Sequence, residues 1–184
     1  MSRFAQITDT SASPQLGALY REIVNAGLGR EVPINWFTAQ SARPDILEKT
    51  WTLMKGLLLQ GKLPPTLKQM IILRVSTHNN CRYCRVIHRR ALEAMGVPAE
   101  VIDRVTTDVD MAQLPPVQRA IVEFAAKTAA DPKSISNEDF EKMTGYGLNQ
   151  AELIEVAMTA AFANFVNTWA DASGILIDQD EGSA

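Results

Sequence analysis

The stretch that decides the fold covers residues 63–96 and reads LPPTLKQMIILRVSTHNNCRYCRVIHRRALEAMG. Two prolines open a run that is apolar around most of its circumference, which is typical of a helix buried on several sides. Asn79 and Asn80 then offer a break and an N-cap. A second helix is predicted from Cys81 to about Met95, with a glycine as its stop. A buried helix, a turn and a second helix therefore form the centre of the predicted fold.

Apolar residues keep a helical spacing on both sides of this stretch, and no convincing alternating strand is visible. Further helices are predicted over residues 13–27, 44–61, 98–105, 115–130, 136–145 and 149–173. Ser136 with Asp139, and Asn149 with Glu152, form two predicted capping boxes. The prediction is an all-α bundle of seven to nine helices.

The chain length and composition predict one globular domain. The chain has 184 residues, 46% of them apolar, and a net charge of −3. Such a length predicts a single domain over residues 1–184, with a core at about 34–174 and a flexible acidic tail over 175–184. No apolar run reaches the roughly 18 residues that span a membrane, and the first ten residues lack the apolar stretch of a secretory signal. A slightly acidic chain also argues against nucleic-acid binding, which requires a basic face.

The two cysteines carry the chemistry that the sequence predicts. Cys81 and Cys84 are spaced C-x-x-C, and His88 follows one helical turn later, within a sector of about 60° on the same helix face. The imidazole can accept a thiol proton, and the first turn of a helix favours an anion. A second thiol three residues away can attack an oxidised first thiol and close a disulfide. Because only two cysteines occur, a reducing cytoplasm is the expected compartment.

Other readings of the same residues remain open. The pair can be two buried structural cysteines beside a surface histidine. Zinc could be bound by His78, Cys81, Cys84 and His88, but structural zinc sites usually draw ligands from two separated segments, and three of these four share one helix face. A c-type haem requires histidine where Arg85 stands. No strands surround the motif as in a thioredoxin-like fold.

In four features the chain resembles the alkyl hydroperoxidase D-like and carboxymuconolactone decarboxylase-like superfamily. These are the leucine–proline helix start, the buried helix, the sequence Asn-Cys-x-Tyr-Cys and the histidine four residues later. The resemblance extends over residues 34–94. It implies an all-helical fold, homo-oligomers that are often trimers or hexamers, and thiol peroxidase or disulfide-exchange activity in the branch that keeps both cysteines. The decarboxylase branch typically lacks the redox pair, so its presence favours redox chemistry.

The resemblance also implies a role for each site residue. Cys84 would attack the peroxide, and His88 would be its base. Cys81 would be the resolving thiol, nearer the surface, where it meets an external dithiol or a redox partner protein. Gln69 stands where the family motif has the glutamate that starts a proton relay, and Tyr83 stands where it can have a histidine. Both departures bear on catalysis, and the first predicts weak peroxide turnover.

The sequence therefore predicts a cytoplasmic, cofactor-free and metal-free thiol peroxidase, whose substrate is a hydroperoxide and whose reductant is an external dithiol or redox partner protein. Two alternatives stay open. One is a thiol–disulfide oxidoreductase without efficient peroxide turnover. The other is a non-catalytic oligomeric scaffold or decarboxylase-like relative.

Overall fold

The computed structural model describes residues 2–9, 11, 13–107 and 113–178, and within them the chain forms nine α-helices. These are α1 (Pro14–Asn25), α2 (Asn35–Thr38), α3 (Pro44–Met54), α4 (Pro65–His78), α5 (Arg82–Ala94), α6 (Ala99–Thr106), α7 (Pro116–Ala130), α8 (Asn137–Gly145) and α9 (Gln150–Ser173). The described residues hold no strand, only one isolated bridge between Gly29 and Pro33. The predicted all-α fold is confirmed.

Local sequence signals account for most of the helix starts. A proline lies in the first turn of α1, α3, α4 and α7, where its missing N–H costs nothing. Both predicted capping boxes are present. Ser136 N donates to Asp139 Oδ2 at 2.8 Å, and Asp139 N donates to Ser136 Oγ at 3.4 Å. Asn149 N donates to Glu152 Oε2 at 2.9 Å, with the reciprocal bond at 3.1 Å.

The chain divides into two compact units, and the first combines residues up to 55 with residues from 169 onward. Its core contains an edge-to-face pair, Phe37 and Trp51, with ring centroids 5.9 Å apart. Both ends of the chain join this unit. Arg3 Nη1 donates to the carbonyls of Asp171 and Ala172 at 2.8 and 2.9 Å, so its cation lies at the C-terminus of α9, where a positive charge is favoured.

The first residues after α9 contact the rest of the unit. Ile175 is buried, and Asp178 Oδ1 accepts a hydrogen bond from Asn35 N at 2.7 Å, at the start of α2. A carboxylate there satisfies an N-terminal helix donor, and the flexible tail over residues 175–184 stays a prediction. Residues 179–184 lie outside the described part of the chain. The single-domain organisation stays a prediction.

The second unit, residues 56–168, carries the site. Its core is a cluster of apolar side chains that α4, α6, α7 and α9 supply in large part, including Ile71, Leu73, Ile102, Val105, Val122, Ala125, Val156 and Ala160. Helix α4 is buried around most of its circumference, as its sequence predicts. The adjacent α5 presents one buried side, which includes Tyr83, Cys84 and Leu92.

A buried ion pair fixes the entry to α4. The Lys68 ammonium, almost fully buried, contacts the Glu155 carboxylate of α9 and the Gln60 carbonyl. Glu155 also accepts from Lys62 N at 2.8 Å. Desolvation raises the pKa of Glu155, but the hydrogen bonds from Lys68 and from the Lys62 and Leu63 amides together outweigh it, and the pKa lies below its usual value. Glu155 is therefore ionised near neutral pH, and the segment before α4 is pinned to α9.

The helix predicted over residues 44–61 is interrupted. Helix α3 ends at Met54, and a wide π-helical turn occupies Lys55–Leu59. Gly61 then takes a left-handed backbone with φ 101°, and a Cβ atom there would lie within 3 Å of the Glu155 carboxylate. The predicted helix is thus α-helical only to Met54 and π-helical to Leu59, and Gly61 suits the left-handed turn beside the buried ion pair.

Candidate active site

The turn between α4 and α5 places Cys81 at the head of the second helix. Asn80 has φ 55°, a left-handed conformation that asparagine tolerates, so it is not the N-cap that the sequence predicts. Cys81 is the N-cap instead, with φ −73° and ψ 102°, and its Sγ accepts a hydrogen bond from Cys84 N at 3.4 Å. Helix α5 therefore begins one residue later than expected, and Cys84 lies in its first turn.

Both cysteines are thiols and both are buried: Cys81 is 0% exposed and Cys84 is 2% exposed. The expectation that Cys81 lies nearer the surface is therefore wrong, because the side chain turns inward to cap its own helix. The Cys84 thiol donates to the Val166 carbonyl of α9 at 3.9 Å, a long contact of the kind that thiols make. External reagents reach this pair only when the turn or its surroundings open.

Gln69 and His88 are brought together across α4 and α5. His88 Nδ1 lies 2.6 Å from Gln69 Oε1. The amide oxygen is an acceptor only, so with the amide oriented as in the structure the neutral imidazole carries its proton on Nδ1. The basic lone pair is then on Nε2. Gln69 thus selects the tautomer of His88 and fixes the ring plane, although it stands where the family motif has a glutamate.

Burial makes the imidazole of His88 a weak base. Desolvation of the half-buried residue lowers its pKa to about 4. A carboxylate at residue 69 would counter this loss, but the Gln69 amide carries no charge. His88 is therefore neutral near pH 7, and an imidazolium–thiolate ion pair with Cys84, which the sequence favours, is not the resting state of this site.

The zinc alternative gains no support from the structure. Within the described residues, no three histidine, cysteine, aspartate or glutamate side chains are grouped so that they could hold a metal ion. The four residues of that alternative all belong to this described part. His78 is exposed at the end of α4, while the two cysteines face inward from the start of α5.

The electrostatic surroundings of the dithiol are positive. Between Glu48 and Glu93 the chain contains nine lysines and arginines and no acidic residue. Arg82 and Arg85 lie in the first two turns of α5, and neither forms an ion pair with a described residue. Cations at a helix N-terminus oppose the helix dipole, so stability alone does not account for them. Their field favours an anion beside Cys84.

Sequence analysis missed three polar residues beside this turn. Ser76 lies on α4, and Asn164 and Asn167 lie on α9. Asn79, read from the sequence as a break, contacts both of these asparagines, as detailed below. No local pattern marks them, because the hydrogen bonds join residues 85 to 91 positions apart in the chain.

The chain is thus an all-helical protein with two buried cysteine thiols at a helix start. The solved structures similar to this chain belong to the same class of fold. An alkylhydroperoxidase AhpD core, an uncharacterised peroxidase-related protein from Ralstonia eutropha JMP134, is 26% identical with a TM-score of 0.86, over 97% of this chain and 93% of that one.

Two more distant structures show the fold alone. An uncharacterised peroxidase-related protein from Silicibacter sp. TM1040 is 21% identical, with a TM-score of 0.83 over 96% of this chain and 92% of that one. The debrominase Bmp8, in complex with 2,3,4-tribromopyrrole, is also 21% identical, with a TM-score of 0.80 over 97% and 93%. None of the curated proteins compared with the chain matches it.

The carboxymuconolactone decarboxylase family profile matches residues 44–127, which include α4, α5 and both cysteines. The matched range therefore covers the helix pair that carries the two cysteines. The profile match over residues 44–127 and the shared fold support the assignment of the chain to the alkyl hydroperoxidase D-like and carboxymuconolactone decarboxylase-like superfamily. None of the helices in the described residues combines the length and apolarity needed to cross a bilayer.

The lowered pKa of His88 predicts a specific dependence of stability on pH. Because the folded-state pKa, about 4, lies below 6.5, the ordinary value for histidine in an unfolded chain, the unfolded chain binds more protons between these pH values, and stability falls as pH falls through this window. From pH 7.5 to pH 5, wild type should lose about 2 kcal/mol more stability than His88→Gln, measured by urea unfolding.

The exposed histidine supplies the matched control. His78→Gln should lose as much stability as wild type between these pH values, since the residue is exposed at the end of α4. Equal losses in wild type and His88→Gln would contradict a buried neutral imidazole.

Proposed function

We propose that this chain is a thiol peroxidase, an antioxidant activity of the peroxiredoxin type that uses Cys81 and Cys84. In the first step Cys84 loses its thiol proton and the thiolate attacks the distal oxygen of a hydroperoxide; the O–O bond breaks, and the released alkoxide takes up that proton and leaves as an alcohol. In the second step Cys81 attacks the sulfenic acid of Cys84, a disulfide forms and water leaves. An external dithiol then reduces this disulfide. The two protein cysteines become thiols again, with two protons from the reductant, and the reductant is oxidised to its own disulfide.

The observation that carries the proposal is the contact between the two cysteines. Cys81 Sγ accepts the Cys84 N–H at 3.4 Å, so the second sulfur already lies against the backbone of the first at the start of α5. His88 is one turn further along the same helix, oriented by Gln69. The α4–α5 pair thus carries all four proposed roles. Cys84 is the nucleophile and Cys81 the resolving thiol, while His88 is the base and Gln69 orients it.

Burial of the pair shapes the second half of the cycle. Since both cysteines are almost wholly buried, a reductant must act on an opened form of the 79–81 turn. The positive field of Arg82 and Arg85 favours an anionic dithiol or an acidic redox partner protein over a neutral one of equal reducing power. A reducing cytoplasm, the proposed compartment, would keep the pair as thiols between turnovers.

Disulfide exchange without efficient peroxide turnover is the second candidate, and the state of His88 favours it. A neutral imidazole with a pKa of about 4 accepts the Cys84 proton poorly, and the Gln69 amide cannot pass that proton on. Exchange depends on the thiolate and its access more than on a proton relay. The two candidates share the dithiol and differ in the oxidant.

Association into a homo-oligomer, a trimer or hexamer, belongs to the same proposal. Ile154 and Met158 lie one turn apart on α9 and are 57% and 45% exposed. Exposed apolar side chains on one side of a helix favour association with a second copy of the chain, because the contact removes their surface from water. Light scattering at micromolar concentration should give a multiple of the 20.2 kDa chain mass, and a monomer mass would contradict this part of the proposal.

A test with peroxide separates a redox pair from two structural cysteines. A twofold excess of an organic hydroperoxide should convert both thiols of wild type to an intramolecular disulfide, seen as a mass decrease of two hydrogens and loss of both titratable thiols. Cys84→Ser should not react, while Cys81→Ser should stop at a sulfenic acid that a dimedone-type reagent traps. Two unreacted thiols in wild type would contradict the peroxidase; a disulfide formed with oxidised glutathione would then indicate the exchange activity, and none would favour the scaffold alternative.

A second test addresses residue 69. In Gln69→Glu the carboxylate would accept the Nδ1 proton of His88, stabilise the imidazolium and raise its pKa. Turnover with an organic hydroperoxide and a dithiol should rise on the order of 10²-fold, the usual effect of one acid–base partner. Disulfide exchange with a small disulfide should change much less.

The control for this test adds the same charge elsewhere. Gln40 is also a buried glutamine, and Gln40→Glu should leave turnover unchanged. Fast turnover in wild type with no gain in Gln69→Glu would show that the proton leaves by another path and that Gln69 is not the limit.

A further inference from the structure

A cluster of amide and hydroxyl groups closes the turn that carries Cys81. Asn79 Nδ2, at the end of α4, donates to Asn167 Oδ1 of α9 at 2.9 Å. Asn167 Nδ2 in turn donates to Ser76 Oγ at 2.9 Å. Asn167 is 2% exposed and Ser76 is 0% exposed, so the bond between them is shielded from water, whereas Asn79 is an exposed residue. Asn167 thus uses both ends of its amide to hold two points of the α4 C-terminus.

The same cluster is bonded directly to the cysteine backbone. The Ser76 carbonyl accepts a hydrogen bond from Cys81 N at 3.0 Å, so the residue that Asn167 holds through its hydroxyl also holds the Cys81 main chain. The neighbour of Asn167 on α9, Val166, accepts from the Cys84 thiol. Two consecutive residues of α9 therefore reach the two cysteines. The Val166 carbonyl contacts the Cys84 thiol directly, and the Asn167 side chain reaches Cys81 through Ser76.

We propose that Asn167 is the positioning residue of the dithiol: it holds the α4–α5 turn so that Cys81 stays in the geometry that closes a disulfide with Cys84. The inference rests on the proposed function, since it concerns how that dithiol closes. Asn167 does not touch a reacting atom. It acts through Ser76 and Asn79, which fix the turn on one side of Cys81.

The physical reason is the narrow geometry of a disulfide. A bond between two cysteines requires Cβ atoms about 3.5–4.5 Å apart and a defined dihedral angle. Holding two groups in such an arrangement raises their effective concentration by orders of magnitude. Loss of the Asn167 amide leaves the buried Ser76 hydroxyl and one Asn79 N–H without their partners, so the turn gains alternative conformations and closure becomes rarer.

The step to be measured is an exchange with glutathione. The protein dithiol and oxidised glutathione give the protein disulfide and two molecules of reduced glutathione, so the two protein thiols lose two electrons and two protons and the glutathione disulfide gains them. The effective concentration of the dithiol is read from this equilibrium by mass and thiol count in buffers of known glutathione ratio.

Asn167→Ala should lower this effective concentration by about 10-fold or more. Ser76→Ala should lower it by less, because the Ser76 carbonyl still binds Cys81 N. The double variant should fall no further than Asn167→Ala alone, since the two side chains act through one hydrogen bond. That non-additivity is a readout that a general loss of stability would not produce.

Asn164→Ala is the matched control. Asn164 is the same residue type on the same helix, accepts from Asn79 at 2.8 Å and donates to the Ala129 carbonyl of α7 at 2.8 Å, but has no bond to Ser76. It should reduce stability in urea while leaving the effective concentration close to that of wild type.

Equal effective concentrations in Asn167→Ala and Asn164→Ala would overturn the proposal. If Asn167→Ala does not fold, Ser76→Ala against Asn164→Ala decides: an unchanged value in Ser76→Ala also overturns it. A wild type that forms the disulfide with glutathione but leaves hydroperoxide intact would contradict the proposed peroxidase and leave the positioning role standing.

Discussion

The buried pair of Lys68 and Glu155 is the constraint on which the site depends. An ammonium group inside a protein needs a countercharge and hydrogen bonds, and losing one member of such a pair commonly costs about 3–5 kcal/mol. The countercharge comes from α9, and the Gln60 carbonyl before α4 completes the set. The pair thereby fixes α4 along its axis. Gln69, which directly follows Lys68, contacts the imidazole of His88.

The chemistry of the site is governed by what that helix lacks. Every charge near the dithiol on α4 and α5 is positive, and the residue bonded to His88 is neutral. A positive field favours a thiolate, whereas a desolvated imidazole resists taking up its proton. The two effects act on opposite ends of one proton transfer. In the proposed reaction, removal of the thiol proton of Cys84 is therefore the step that this site supports least.

How much of this the sequence could predict depends on the range of each interaction. Helix starts, both capping boxes and the spacing of Cys81, Cys84 and His88 are local, and they follow from residues within one or two turns. Gln69 was identified through the resemblance, and the structure shows its contact. The inward turn of Cys81 and the bonds of Asn167 depend on packing between α4 and α9, which no short pattern encodes. The π-helical turn was likewise not predicted, because its residues carry no local pattern that distinguishes it from a continuing α-helix.

Arg3 binds the end of α9, and Phe4 stacks on Trp169 with ring centroids 5.2 Å apart. These contacts join residues from the two ends of the chain, so they form late during synthesis. The unit that holds the site is continuous in sequence, so all of its contacts are available once residue 168 has emerged. The other unit joins residues near both ends, and its early helices must wait for the last helix before they can close their core. Its apolar surface therefore stays exposed for most of translation and is buried only when the last helix has emerged.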